Sequence, residues 1–177
     1  MDAAPPSPPS PDAAPDLASS PAADVGAGGA SMPPPVDAAP EVPAAVPYPT
    51  TGWVVTASIT APGLNDVAAN AIDGDLATRW STGQPQVGDE SFSIDLGARV
   101  SMSQVVLDDS SHPGDFPAAY TLTLSTDGVA YFTVAMGVGA TVTTISFMPR
   151  VARFVRLLQT GTTPVSWLSI DELTIWP

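Results

Sequence analysis

The placement of proline constrains this chain more than any other feature. Most of its 21 prolines fall before residue 50, in a stretch with no strand-like or helix-like apolar period. Each proline fixes φ and removes a backbone donor, so a compact domain cannot use so many. Residues 1–50 therefore read as a tether and residues 51–177 as the only domain. A domain of that size buries roughly two thirds of its unfolded surface, enough for a core without staples. Within the tether, Asp-Ala-Ala-Pro recurs at 2–5, 12–15 and 37–40. Proline blocks the helix that alanine favours and the acids repel one another, so the expected state is an extended, polyproline-like spacer. Gly26-Ala27-Gly28-Gly29 is a softer joint within it. A ligand for proline-reading domains would want a nearby Arg or Lys, and the tether has neither.

Charge narrows the partners. The chain carries 18 acids against 5 bases, a formal net charge of −13. All the bases are arginines (Arg79, Arg99, Arg150, Arg153, Arg156), and all lie beyond the tether. Nucleic acid needs a basic face and is excluded as a partner. Docking on an anionic membrane surface is disfavoured in the same way, and no apolar run is long enough for direct membrane insertion. Neutral or cationic sugars and hard cations remain open. The absence of cysteine removes disulfides and thiolate metal sites. The chain opens Met1-Asp2-Ala3-Ala4-Pro5, already inside the tether. Met1 is expected to replace the residue left after signal removal, a lipidated cysteine being one candidate. The expected location is extracellular or on a bacterial cell surface.

From Trp53 onward, short runs rich in Val, Ile, Thr, Tyr and Phe are broken by Gly, Pro, Asp and Ser. The pattern predicts strands at 53–60, 91–96, 102–108, 119–125, 131–135, 142–147, 152–159 and 168–176, with one helical turn near 67–72. Tyr120, Leu122 and Leu124 alternate with Thr121 and Thr123, the mark of a half-buried strand. Ser125-Thr126-Asp127-Gly128 is a hairpin signal. Eight short strands without a sustained helical period predict an all-β sandwich, an eight-stranded jelly roll.

Five phrases carry a family resemblance. They are Ala71-Ile72-Asp73-Gly74-Asp75-Leu76-Ala77-Thr78-Arg79-Trp80-Ser81, Phe92-Ser93-Ile94-Asp95-Leu96-Gly97, the run from Tyr120 to Gly128, Ala152-Arg153-Phe154-Val155-Arg156-Leu157, and Trp167-Leu168-Ser169-Ile170-Asp171-Glu172-Leu173. Their order and spacing across nearly all of 51–177 resemble the discoidin family, also called the coagulation-factor C-type domain, which includes the family 32 carbohydrate-binding modules. The resemblance implies a jelly-roll sandwich whose end loops bind glycans or, in animal relatives, proteins and lipids.

The loop Asp73-Gly74-Asp75 with Thr78 gathers oxygen donors of the kind calcium takes, and Gly74 lets the loop fold back. An Asx-type turn capped by its own side chains is the competing reading. The resemblance implies a structural calcium ion held by side chains of Asp73, Asp75 and Glu172, by Thr78, and by carbonyls of Asn70 and Asp171.

A sugar site needs an aromatic face against the ring and charged planar groups for paired hydroxyls. The candidates are Trp167, Arg79, Asp108, Asp109, His112 and Asp115, with Gln84 and Asp89 as weaker extras. Trp167 follows the turn-rich Gly161-Thr162-Thr163-Pro164, whereas Trp80 reads as core. His112 is the only histidine and sits in the most polar loop, 108–116. Arg79 either contacts sugar or braces a carboxylate such as Asp95 or Asp108. Leu168 stands where a second tryptophan is common in the glucan- and chitosan-type relatives, so a specific ligand does not carry over.

A hydrolase would need two carboxylates roughly 5–10 Å apart, which Asp108, Asp109 and Asp115 could supply in principle. The sequence offers no sign of a buried acid among them. It has no Gly-x-Ser-x-Gly elbow, no phosphate-cradling loop and too few histidines for a zinc site. The expectation is a secreted, non-catalytic lectin-like module with a structural calcium ion, displayed on a tether for glycan capture or cell adhesion. A protein-binding adhesion or structural module using the same loops is the alternative.

Overall fold

The computed structural model describes residues 44–177. The expected tether lies outside the described residues up to residue 43. From Tyr48 the chain is held by the domain. Tyr48 N donates to the Ile175 carbonyl at 2.8 Å and Tyr48 Oη to the Ser101 carbonyl at 2.6 Å.

Eight strands make up the described domain: β1 (Val54–Ala57), β2 (Trp80–Gln86), β3 (Ser91–Asp108), β4 (Tyr120–Ser125), β5 (Phe132–Gly137), β6 (Val142–Gln159), β7 (Thr163–Ile170) and β8 (Glu172–Trp176). One 3-10 turn, Ala68–Ile72, precedes β2. All pairings are antiparallel, and the architecture is a jelly-roll β-sandwich.

β3 and β6 form the spine. The first half of β3 runs beside β1 and the second half beside β8, while β6 pairs both halves. The β3–β6 ladder shifts register midway, between Asp95 and Val100 and again between Met102 and Gln104. In β3 the first bend spans Gly97, whose φ of 76° suits glycine; its N–H is accepted by Asp95 Oδ1 at 2.8 Å. The runs expected separately at 91–96 and 102–108 are therefore one strand, and so are 142–147 and 152–159. Glycine, proline and arginine at the two bends read as strand breaks, but the ladder resumes beyond them after register shifts.

Alternation decides the core. Tyr120, Leu122 and Leu124 face inward from β4, Val155 and Leu157 from β6, and Leu173 and Ile175 from β8. Trp80 is fully buried, lies 5.0 Å from the Phe92 ring centroid and donates its Nε1–H to the Ile59 carbonyl. The core role expected for it holds. The hairpin after β4 also forms as expected: Ser125 Oγ accepts Gly128 N, and Asp127 Oδ1 accepts Val129 N and Ala130 N.

β2 and β7 pair with each other as a separate two-stranded ribbon. The sequence pattern missed β2 because Trp80-Ser81-Thr82-Gly83-Gln84-Pro85-Gln86 has little β-branched content and its register breaks at Pro85. The single strand expected at 168–176 is split at Asp171, whose N–H leaves the ribbon for the Asp108 carbonyl. The split leaves Asp171 at the junction of β7 and β8 and makes Glu172 the first residue of β8.

Candidate functional site

The ribbon and three loops meet at one end of the molecule. Gln86, buried at the end of β2, fastens them: its Nε2 donates to the Phe116 and Trp167 carbonyls, and its Oε1 accepts Ala118 N. Leu168 N donates to Thr82 Oγ1, and Ser169 N to the Asp115 carbonyl. The 109–118 loop is thereby held against β7.

Arg79 stands at the centre of this end, one residue before β2 and so on the opposite face from buried Trp80. Its Nε donates to Asp66 Oδ2 at 3.0 Å and its Nη1 to Asp115 Oδ2 at 3.1 Å. Its guanidinium carbon lies 5.6 Å from the centroid of the Trp167 ring. Arg79 thus braces carboxylates, as one of its two expected roles required, but they are Asp66 and Asp115. Asp95 is paired with Arg153 instead, and Asp108 points elsewhere. Beside Arg79 opens a cleft of about 310 Å³, lined among others by Asn65, Asp66, Thr78, Arg79 and His112.

His112 is placed by a buried carboxylate. Asp171 is fully inaccessible; its Oδ2 accepts Ser111 N at 2.8 Å and its Oδ1 lies 2.6 Å from His112 Nδ1. That contact ties the imidazole to a buried carboxylate, and His112 lines the cleft from there.

The sugar candidates divide. Arg79 and His112 line the cleft, while Asp115 and Trp167 reach Arg79 without lining it themselves. Asp109 does not: it is fully buried under the loop, its Oδ2 has no hydrogen-bond partner, and it cannot touch a ligand from there. Burial, reinforced by the nearby charge of Asp171, pushes its pKa up to about 8. A buried acid with a raised pKa therefore exists, against the sequence reading, but it is sealed from solvent. Asp108 caps Ser110 N with Oδ1 and stands opposite Glu172 in the β3–β8 register, away from the Arg79 cleft. Gln84 is exposed, and its carbonyl accepts Thr82 Oγ1. Asp89 lies in a turn closed by Glu90, whose carboxylate accepts Val87, Gly88 and Asp89 N–H groups. Neither lines the Arg79 cleft. Sequence reasoning missed Asn65 and Asp66. Their turn-rich setting, Pro62-Gly63-Leu64-Asn65-Asp66, was the available signal, yet nothing local says that Asp66 reaches Arg79.

The expected ion loop lies next door. Asp73 Oδ1 accepts Asp75 N, Asp73 Oδ2 accepts the Thr78 hydroxyl at 2.8 Å, and Asp75 Oδ1 accepts Ala77 N. Glu172 Oε2 reaches the same loop and accepts Gly74 N at 2.8 Å. Burial raises the Glu172 pKa, and the charges of Asp73 and Asp108 add to the shift. Asn70 uses its side chain otherwise, donating Nδ2 to the Asn65 and Arg79 carbonyls. Among the described residues no three His, Cys, Asp or Glu side chains converge as a metal cluster. The loop gathers three carboxylates, of Asp73, Asp75 and Glu172, and the Thr78 hydroxyl, with the carboxylate oxygens accepting from backbone N–H groups and from that hydroxyl; these are oxygen donors of the kind a hard cation takes.

The fold is that of a jelly-roll β-sandwich module with an open cleft at one end. The F5/8 type C domain pattern matches residues 54–173, and the chain belongs to that family. No curated protein matches the sequence. Among solved structures, a family 32 module from Clostridium perfringens, in complex with GalNAc-beta-1,3-galactose, superposes with a TM-score of 0.66 at 22% identity, covering 75% of this chain and 100% of the module. Chitosan-binding module 1 of a chitosanase/glucanase from Paenibacillus sp. IK-5 gives 0.63 at 26% identity, over 72% and 97% of the two chains. The family 32 module of AlyQ, in complex with 4,5-unsaturated mannuronic acid, gives 0.57 at 25% identity, over 73% and 97%.

Proposed function

We propose that this chain is a non-catalytic carbohydrate-binding module that holds a glycan in the Arg79 cleft. The observation that carries the reading is Trp167. It is only partly buried and packed on the guanidinium of Arg79, a residue that lines an open cleft. That arrangement offers an aromatic face with charged hydrogen-bonding groups beside it, the combination a sugar ring requires. Solved neighbours with the same fold are carbohydrate-binding modules, which supports the reading. Among the described residues the acid with the strongly raised pKa, Asp109, is enclosed and cannot act as a general acid on a bound glycan.

A calcium ion is the second part of the proposal. Asp73, Thr78 and Glu172 would hold it, with Asp75 and the carbonyls of Asn70 and Asp171 completing the shell. Its contribution is charge neutralisation that fastens the 73–78 loop to β8, a structural role. The third part is display outside the cell. A tether of about fifty residues would give a reach of roughly 40 Å as a flexible coil, so many copies on a surface would gain avidity from a weak site.

A glycan array probed with and without calcium tests the function. A coherent set of glycan hits supports it. A blank array, with the protein shown to be folded, overturns it in favour of a protein-binding module.

A further inference from the structure

We propose that two copies of this chain associate through the groove between β5 and the first half of β6, leaving both Arg79 clefts open. This surface is independent of what the cleft binds.

The groove has a volume of about 220 Å³ and is lined by Phe132, Thr133, Val134, Phe147, Met148 and Arg150. Val134 and Phe147 pack against the core, while Phe132 is 41% exposed and Met148 77%. Aromatic rings and methionine are enriched where proteins meet, and methionine adapts its shape to an opposing surface. Clustered apolar exposure of this kind marks a contact surface.

Charge selects the occupant. At −13, copies of the chain repel one another over most of their surface. A two-fold contact sets side chains near its axis against their own counterparts, so an acid there would oppose itself. Residues 129–149, which include β5 and the start of β6, carry no charged side chain. Arg150 is the one charged residue of the groove, and it makes no ion pair among the described residues. At the rim it offers an acidic copy attraction in place of repulsion. A basic partner would instead need acids in the groove, and none lines it.

β5 ends its sheet, and an open edge invites pairing with another strand. Val134, however, has no partner in the β4–β5 register, where Leu122 faces Ala135 and Thr123 faces Thr133. Such a bulge interrupts an edge ladder, so the copies meet through side chains and not by strand addition. The cleft stays clear of the contact. β4 starts at Tyr120, just after the loop bordering the cleft, and ends at Ser125; β5 begins with Phe132 beyond the following hairpin. At about 3.3 Å per residue, β4 carries the chain roughly 17 Å from that loop before the groove begins.

Sedimentation velocity on the full chain decides it, from about 10 μM to about 1 mM protein and at about 0.05 M and about 0.5 M salt. The expected result is a monomer–dimer equilibrium with a Kd of about 100 μM or tighter. The higher salt tightens it, because screening weakens the repulsion between two acidic copies. Met148→Glu and Thr133→Glu, both at exposed positions, each weaken the dimer at least about tenfold. Val54→Glu adds the same charge to β1 at the opposite end of the sheet order and leaves the equilibrium within about threefold of the parent. Melting curves confirm that the variants fold; should one fail, the other groove variant and the salt dependence of the parent still decide. A chain that stays monomeric at every concentration and salt overturns the proposal. So does a dimer that loosens with salt, one that survives both groove variants, or one that Val54→Glu breaks equally, since the contact then lies elsewhere or is held by charge.

Discussion

His112 Nδ1 lies 2.6 Å from Asp171 Oδ1, and the carboxylate on the far side of that contact has no exposure to solvent. Asp171 sits where β7 ends and β8 begins, so one buried charge fixes the polar loop that borders the cleft. Its other oxygen accepts Ser111 N, and its own N–H is held by the Asp108 carbonyl. Removing this carboxylate takes away the partner of the Ser111 N–H and of His112 Nδ1, on an exposed residue and a half-buried side chain.

Asp171→Ala should therefore destabilise the domain by about 1–3 kcal/mol, from roughly 0.5–1.5 kcal/mol for each of the two hydrogen bonds lost. Asp171→Asn keeps one acceptor and should cost less. Urea unfolding of the two variants checks this. An alanine variant as stable as the parent would mean that the loop is held by other contacts.

Asp109 predicts a pH dependence. Its pKa is pushed from 3.8 to about 8 in the folded protein, so the folded state binds a proton that the unfolded state releases over that range. The stabilising contribution is complete below about pH 4 and is lost as pH rises toward about 8, by at most about 1.4 kcal/mol per pH unit. Asp109→Asn mimics the neutral acid and should flatten that loss, gaining stability over the parent at alkaline pH. Comparing urea midpoints of the two proteins across pH, with chelator present, isolates the Asp109 contribution. Parallel curves would show that Asp109 ionises normally.

Trp167→Ala should lower glycan affinity at least about tenfold, or ~1.4 kcal/mol, because it removes the stacking face beside Arg79. The ring is only partly buried, so the melting temperature should change little. Affinity toward any glycan identified on the array, set against a melting curve, separates the two effects. Unchanged affinity would remove Trp167 from the site.

How much of this was legible depends on range. β4, the hairpin at Asp127-Gly128 and the core role of Trp80 rest on local signals, and the sequence displays them. The continuity of β3 and β6 was hidden, because residues at a bend look like residues at an end. β2 was hidden because its pairing with β7 depends on a partner some eighty residues away and survives a proline. In the site, Arg79, His112, Asp115 and Trp167 could be nominated by chemistry and loop position. Asp66 could not, since only the fold brings it to Arg79. The same holds for Asp109 and Asp171. Both acids are chemically alike and near loops, and burial alone takes one out of the ligand face and makes the other a support.

Calcium removal provides the remaining test. Asp73 and Glu172 approach one another through Thr78 and Gly74, and burial with mutual repulsion raises the Glu172 pKa. A divalent ion would relieve that repulsion and join the 73–78 loop to β8. A ligand that binds only the folded state stabilises it by about 2.7 kcal/mol at a hundredfold excess over its Kd. Calcium should therefore raise the melting temperature of chelator-treated protein, and Glu172→Gln should abolish most of that increment by removing one charge while keeping the side chain's shape. Magnesium should do less, because it demands stricter octahedral geometry than a loop of carbonyls and carboxylates provides. Identical melting curves in calcium and in chelator would mean that the loop is complete with its own hydrogen bonds, as an Asx-type turn capped by Asp73 and Asp75.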